Sequence, residues 1–309
     1  MTGTITDYPV PVTSTGGAVL VLGATGCLGG ALVASALEAG RPVIAIGRDA
    51  EALGRLRTTH ADARLQTLAA SVASDAEAAG LAQRVRALDL PIAGVLAAIR
   101  GTPVRGRLLD QPGDVLRRCI DEDLLPHLFA ARHLLPMLST TGLSAPGNGG
   151  YVLVGGPGAD YPWAGYGHHS ITAAALRMLA RVLHDEARTL GVHVHLLGVD
   201  APLRTPGNLR HACPEWPSLG AVARRAVSMS IAPAASADAV VRFGATDAPS
   251  PFWSDDIDAS DTAPAKTAAM PWQESDGATV VHAERSLHDA RRLLRDIATS
   301  PRLKDRLSP

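Results

Sequence analysis

The segment GGPGADYPWAGYGHHSITAAALRML, residues 155–179, gathers side chains able to move protons. Tyr161, Trp163, Tyr166, His168 and His169 crowd into its middle. An imidazole titrates near pH 6.5, so His169 or His168 could serve as a general acid or base near neutrality without assistance. A phenol titrates near pH 10 and needs a cationic neighbour to do the same, which burdens Tyr166, because the segment contains no lysine. A plainer reading stands beside this one: the two histidines open a helix with their rings toward solvent, and Tyr161, Trp163 and Tyr166 pack a loop.

Other reactive groupings are weaker. His193 and His195 alternate along one strand and share a face, a spacing that can bind metal, but no third ligand is evident and a structural role is the expectation. His184, with Asp185 and Glu186, reads as a solvated helix face. No zinc signature and no G-x-S-x-G nucleophile turn is present. Cys27, Cys119 and Cys213 are odd in number and far apart, so neither a disulfide framework nor a metal set is expected.

Gly23, Gly26 and Gly29 form G-x-x-G-x-x-G directly after the strand-like VLVL and before a helix. Glycines there let the backbone approach a pyrophosphate, and the helix N-terminus offers free N–H groups and a favourable dipole. The cofactor-binding set read from this turn is Gly23, Thr25, Gly26, Cys27, Leu28 and Gly29. The second strand ends IAIGRD, where an acidic side chain would grip a ribose hydroxyl and an arginine a 2′-phosphate. Arg48 favours the phosphorylated cofactor, NADP(H); Asp49 speaks for the other.

These residues need a frame. Apolar strands at VLVL, RPVIAIGRD, ARLQTLAASV, PIAGVLAAI, GYVLVGG and VHVHLLGV alternate with amphipathic helices, including a long one at 114–138 and another at 171–190. Strands without polar alternation indicate a parallel sheet covered on both faces, hence an α/β, Rossmann-like doubly wound domain over residues 17–250. A flexible leader is expected at 1–16, an acidic, Pro-rich linker at 251–280, and at 281–309 a C-terminal amphipathic helix with Leu287, Ala290, Leu294 and Ile297 at helical spacing. The formal net charge of −1 gives no footprint for nucleic acid or an anionic membrane. No apolar run has the length of a membrane span and no signal peptide is read, so a cytoplasmic protein is expected.

Over residues 17–245 the order and spacing resemble the short-chain dehydrogenase/reductase family. VLGATGCLGGALV resembles its cofactor turn, VLAAIRG stands where Asn-Asn-Ala-Gly is usual, and DLLPHLFAARHLLPML resembles its long helix, with Asp123 at the usual Asn. AAALRMLARVLHDEARTLGVHVHLLGV resembles the helix and strand after its Tyr-x-x-x-Lys, and PLRTP its cofactor-covering loop, which adds Thr205 to the cofactor set. Aligned on Leu176, Gly191 and Val194, the family's Asn-Ser-Tyr-Lys reads Asp123, Gly156, His169 and Ala173, and no position matches. A rival register sets Tyr166 at the Tyr and Ser170 at the Lys. Arg100 replaces a small glycine near the expected cofactor.

The resemblance implies a dinucleotide platform that has lost its hydroxyl-and-ammonium machinery. The expected catalytic set is His169, Tyr166, His168 and Asp123, with Arg100, Gly156, Tyr161 and Trp163 binding a small-molecule substrate. The expected activity is non-redox acid–base chemistry (cyclisation, dehydration or isomerisation) on a small specialised metabolite. The alternatives are an NADP-dependent reductase with a displaced proton donor, and a catalytically silent partner subunit. A homodimer or homotetramer is expected through the helices at 114–138 and 171–190.

Overall fold

The computed structural model describes residues 16–140, 149–232 and 238–243. The chain divides into two units, Met1–Ala248 and Pro249–Pro309, and every described residue lies in the first. The leader up to residue 15, the linker at 251–280 and the C-terminal helix at 281–309 fall outside the described residues.

Seven parallel strands build one sheet: β1 (Ala18–Leu22), β2 (Val43–Gly47), β3 (Leu65–Ala69), β4 (Ile92–Ala97), β5 (Gly150–Gly155), β6 (His193–Gly198) and β7 (Val240–Arg242). Their order is β3-β2-β1-β4-β5-β6-β7, with the reversal of winding between β1 and β4. Both faces are apolar because alternate residues of each strand feed different cores. Leu20, Leu22, Ile44, Ile46, Tyr151 and Leu153 pack on one side; Val19, Val21, Val43, Ala45 and Val152 pack on the other. This is the Rossmann-like doubly wound architecture, and it explains why the strands show no polar alternation.

Helices α1 (Cys27–Glu38), α2 (Ala50–His60) and α7 (Leu219–Ile231) cover one face; α3 (Asp75–Arg86), α4 (Asp114–Asp123), α5 (Leu125–Thr140) and α6 (Gly167–Ala187) cover the other. Local sequence sets several boundaries. Ser74 and Glu77 close a capping box on α3, and Asp49 caps α2 by accepting from the backbone N–H of Glu51 and Ala52.

Three expectations need correction. The long helix at 114–138 is two helices that break at Leu124. Pro126 has no N–H to offer the Glu122 carbonyl, and its ring crowds that turn. The helix expected at 171–190 begins at Gly167 and ends in a single 3₁₀ turn at Arg188–Leu190, so both candidate histidines sit within its first turn. His184 is not on a solvated face: it is buried, and its Nδ1 meets the Val194 carbonyl at 2.7 Å, while Asp185 and Glu186 do face out. His195, on β6, is buried as well, with Nδ1 3.0 Å from the Asp238 carbonyl.

Helix α7 lies unusually low on the sheet. Gly94 and Gly150 pair in register across β4 and β5. A Cβ on Gly94 would stand 2.6 Å from the Ser230 carbonyl oxygen, and one on Gly150 2.7 Å from those of Met229 and Ser230. Only hydrogen fits between these backbones. Gly94→Ala or Gly150→Ala is therefore expected to cost about 1–3 kcal/mol, read as a lower urea midpoint with an unchanged slope. An unshifted midpoint would mean that α7 packs elsewhere.

Candidate functional site

The Gly-rich turn joins β1 to α1. Gly23 takes φ +75°, a left-handed conformation that side chains rarely adopt, and a Cβ there would strike the Ala98 carbonyl oxygen. A Cβ on Gly29 would strike the Gly23 carbonyl, so α1 can start this close to the strand only at glycine. Gly26 caps α1 with no side-chain hydrogen bond, and the first turn of α1 carries no acidic residue. The amides there keep their capacity for an anion, and Thr25, Gly26 and Cys27 are exposed to receive it, with Leu28 half-buried behind them. Arg48 stands exposed at the end of β2, while both bonds from the Asp49 carboxylate go to the α2 cap. The dinucleotide's phosphate end fits these residues, and Asp49 engages the α2 cap through Oδ1, with no bond to Oδ2 among the described residues.

The second half of the site lies beyond β4 and β5. His169 is largely buried, and its Nε2 is sealed from solvent without a hydrogen-bond partner among the described residues. A Cβ on Gly156 would lie 3.5 Å from that nitrogen. The positions aligned with the family's Ser and Tyr are therefore neighbours in space. Trp163 meets the His169 ring edge-on, centroids 6.1 Å apart, and stacks on Tyr166 at 4.6 Å. Ser170 holds this loop to the helix: its hydroxyl accepts from the Trp163 amide at 2.8 Å and donates to the Tyr166 carbonyl at 3.3 Å.

Arg100 and Asp123 complete the group. Asp123 Oδ1 accepts from the Gly101 amide at 2.7 Å, and its Oδ2 lies 3.4 Å from the Thr172 hydroxyl, which is nearer the His169 carbonyl at 3.1 Å. Glu122 accepts from the Thr102 amide at 3.2 Å. Two carboxylates at the end of α4 thus clamp the loop that carries Arg100. Burial lowers the pKa of His169; the Arg100 guanidinium pushes it the same way, and Asp123 opposes them. His169 is accordingly a neutral imidazole at pH 7.

The remaining candidates scatter. His168 is buried and follows a helical path about 100° round α6 from His169, with Nδ1 unpartnered among the described residues. The reading that puts both rings toward solvent is therefore set aside. Tyr161 sits at the exposed rim of the loop, and Tyr166 is the half-buried residue just before α6. Thr205 lies in the segment after β6, where its amide donates to Asn208 Oδ1 at 2.7 Å. Ala173, aligned with the family's lysine, is buried and brings no charge.

Sequence reasoning missed two groups. His127 on α5 is fully buried beside the Arg100 loop, with Nε2 3.2 Å from the Ile99 carbonyl. The carbonyl can only accept, so Nε2 carries the proton and Nδ1 is left unpartnered among the described residues. Arg177 on α6 is buried between Asp160 and Asp200. The available signal was its place among Ala173, Leu176 and Ala180, where helical spacing puts a charge inside an apolar stripe.

The chain belongs to the short-chain dehydrogenase family, whose profile, described as short chain dehydrogenase, matches residues 17–204. Solved structures share the fold. A short-chain dehydrogenase from Streptomyces avermitilis is 22% identical, with TM-score 0.61, covering 74% of this chain and 89% of its own. The Pseudomonas aeruginosa RhlG/NADP active-site complex is 21% identical, with TM-score 0.63, covering 76% and 97%. A putative gluconate dehydrogenase from Agrobacterium tumefaciens is 18% identical, with TM-score 0.64, covering 74% and 94%. No curated protein matches the chain. Among the described residues no helix is long and apolar enough to cross a membrane.

Burial lowers the pKa of His127 from 6.5 to about 4. A histidine depressed in the folded state contributes stability above its unfolded pKa and loses it as pH falls through the folded value. His127 should therefore withdraw on the order of 3 kcal/mol between pH 6.5 and about 4. The urea midpoint should fall as pH drops across this window in the parent chain and fall less in His127→Gln; an equal fall in both would remove His127 from the account.

Proposed function

We propose that this family member is an enzyme that acts on a small specialised metabolite by acid–base chemistry centred on His169, with no net redox change. The observation that carries the reading is the buried, unpartnered Nε2 of a neutral imidazole at the position of the family's proton donor. A ring nitrogen denied both water and a protein partner costs about 1–3 kcal/mol, and a ligand hydrogen bond relieves that cost.

A neutral imidazole is a base before it is an acid. His169 removes a proton from the carbon beside a substrate carbonyl and becomes imidazolium. The electron pair left behind forms an enolate, whose charge the Arg100 guanidinium stabilises. The enolate then takes the proton back at another atom (isomerisation), expels a β-hydroxyl that leaves as water with the same proton (dehydration), or attacks a second carbonyl carbon in the molecule, whose oxygen takes that proton from the imidazolium (cyclisation). Tyr166 and Trp163 offer a flat apolar wall to an unsaturated substrate, and Gly156 leaves room where a serine would stand.

NADP(H) is proposed at the turn formed by Gly23, Thr25, Gly26, Cys27, Leu28 and Gly29, with Arg48 for its 2′-phosphate and Thr205 in the covering segment. Bound there, it supplies hydride-transfer capacity. One observation favours a second reading, reduction with His169 as the displaced donor: Arg48 stands exposed at the end of β2, placed for a 2′-phosphate. Against that reading, a depressed histidine is mostly unprotonated at pH 7 and donates poorly. A homodimer or homotetramer and a cytoplasmic location belong to the same proposal. Ile171, Met178 and Val182 on α6, together with Leu128 on α5, give exposed apolar surface for association.

Two experiments test this. NMR titration of the His169 ring should place its pKa below 6.5 in the parent chain and higher in Arg100→Gln, since removing a like charge favours imidazolium. No change in Arg100→Gln would detach Arg100 from the site. With enolisable 1,3-dicarbonyl compounds as probes, His169→Ala should lower turnover by about 10²–10⁴-fold. Stoichiometric NADPH oxidation during turnover would replace the non-redox reading with the reductase.

A further inference from the structure

Beyond His169 and the cofactor turn, a closed ring of four charges stands at the ends of β5, β6 and β7. Gly155, Gly198 and Arg242 lie in one row across these strands, and the chain leaves the sheet just past it. Arg177 rises from α6 with its side chain only 5% exposed. Its Nη1 donates to Asp160 Oδ1, and its Nη2 donates to Asp200 Oδ1 at 3.3 Å. Arg242 meets both carboxylates from the other side, with Nη2 2.7 Å from Asp160 Oδ2 and Nη1 3.5 Å from Asp200 Oδ2. A Cβ on Gly198 would lie 3.6 Å from Arg177 Nη2, so the guanidinium sits over the end of β6.

We infer that Arg177 is a positioning residue, and that this Arg–Asp–Arg–Asp ring fastens the two segments that wall the candidate site. Each member comes from a different stretch of chain. Asp160 belongs to the segment between β5 and α6, which carries Trp163 and Tyr166. Asp200 opens the segment after β6, which carries Thr205. Arg177 belongs to α6, eight residues beyond His169, and Arg242 ends β7.

Net stability does not explain the ring. Replacing a buried ion pair with apolar groups is often neutral or better, and the ladder of β5, β6 and β7 already joins these strands. A charged ring does what apolar packing does less well: it admits one register. If Asp160 moves, Arg177 becomes a buried charge short of a partner. The ring also consumes the charge of Arg177. Although it lies one turn from Ala173, Arg177 does not act as the missing lysine, and the cation that acts on His169 is Arg100. The ring holds the indole of Trp163 against His169 without touching either.

The test uses the full chain. Hydrogen exchange should speed up about tenfold or more over residues 156–166 and 199–210 in Asp160→Asn, while β1 to β4 keep their protection. Asp160→Glu should restore the slow exchange. In a background carrying Trp216→Phe, Trp253→Phe and Trp272→Phe, Asp160→Asn should make Trp163 more accessible to acrylamide and should move the His169 titration. Arg242→Gln removes only the exposed corner of the ring and serves if Asp160→Asn folds poorly: it should loosen the same two segments to a lesser degree. Unchanged exchange in both segments, or loss spread evenly over every strand, would overturn the inference, as would a Trp163 signal and a His169 titration indifferent to Asp160.

Discussion

A sheet with both faces buried leaves a protein little surface on which to do chemistry. In this chain Leu20 and Val21, or Tyr151 and Val152, point into opposite cores, so no strand residue between its ends can meet a ligand. Only the loops past the C-terminal ends of the strands are free to vary. Several candidates obey that restriction: the Gly23 turn follows β1, Arg48 follows β2, Arg100 follows β4 and Gly156 follows β5, while His168, His169 and Asp123 come from the ends of α6 and α4. The close seat of α7 over Gly94 and Gly150 belongs to the same constraint, since a helix that rode higher would open one core to water.

Within that frame, on the proposed reading, the site is rebuilt by relocating its charges. The family's arrangement, as the resemblance implies it, brings a cation to the proton donor from one turn further along the same helix. Here Ala173 fills that position, the next basic residue on α6 is locked between two aspartates, and a cation arrives from the β4 loop as Arg100. A loop is a poor carrier for an exact charge, because its backbone amides have no neighbouring strand to satisfy them. Glu122 and Asp123 supply what is missing by accepting from the amides of Thr102 and Gly101. Asp123, a catalytic candidate by its alignment, also braces the Arg100 loop from the end of α4 through the Gly101 amide.

Much of the fold was legible in the sequence because it rests on local signals. Strands without polar alternation, capping residues such as Ser74 and Asp49, and the glycine spacing of the first turn are short-range facts. The misreadings share one cause, which is contact across long separations. Nothing near His184 announces that its Nδ1 will meet Val194, and nothing near His127 announces a partner at Ile99. The break at Leu124 was the exception, since Pro126 was visible and its missing amide should have divided the helix. In the site, the juxtaposition of Gly156 and His169 followed from the family spacing. The ring around Arg177 could not, because its four members lie far apart in the chain and join only at the sheet's end.

The order of influences on His169 bears on what the site can do. Burial comes first, Arg100 second, and Asp123 acts in the opposite direction. When an anionic oxygen of a ligand engages the guanidinium, the like-charge repulsion that disfavours imidazolium is partly cancelled. Burial has the opposite course, since a bound ligand excludes more water from the ring. On the proposed acid–base reading, a lowered His169 pKa makes the ring a proton acceptor rather than a donor. As negative charge grows on the substrate beside Arg100, the imidazolium becomes easier to form.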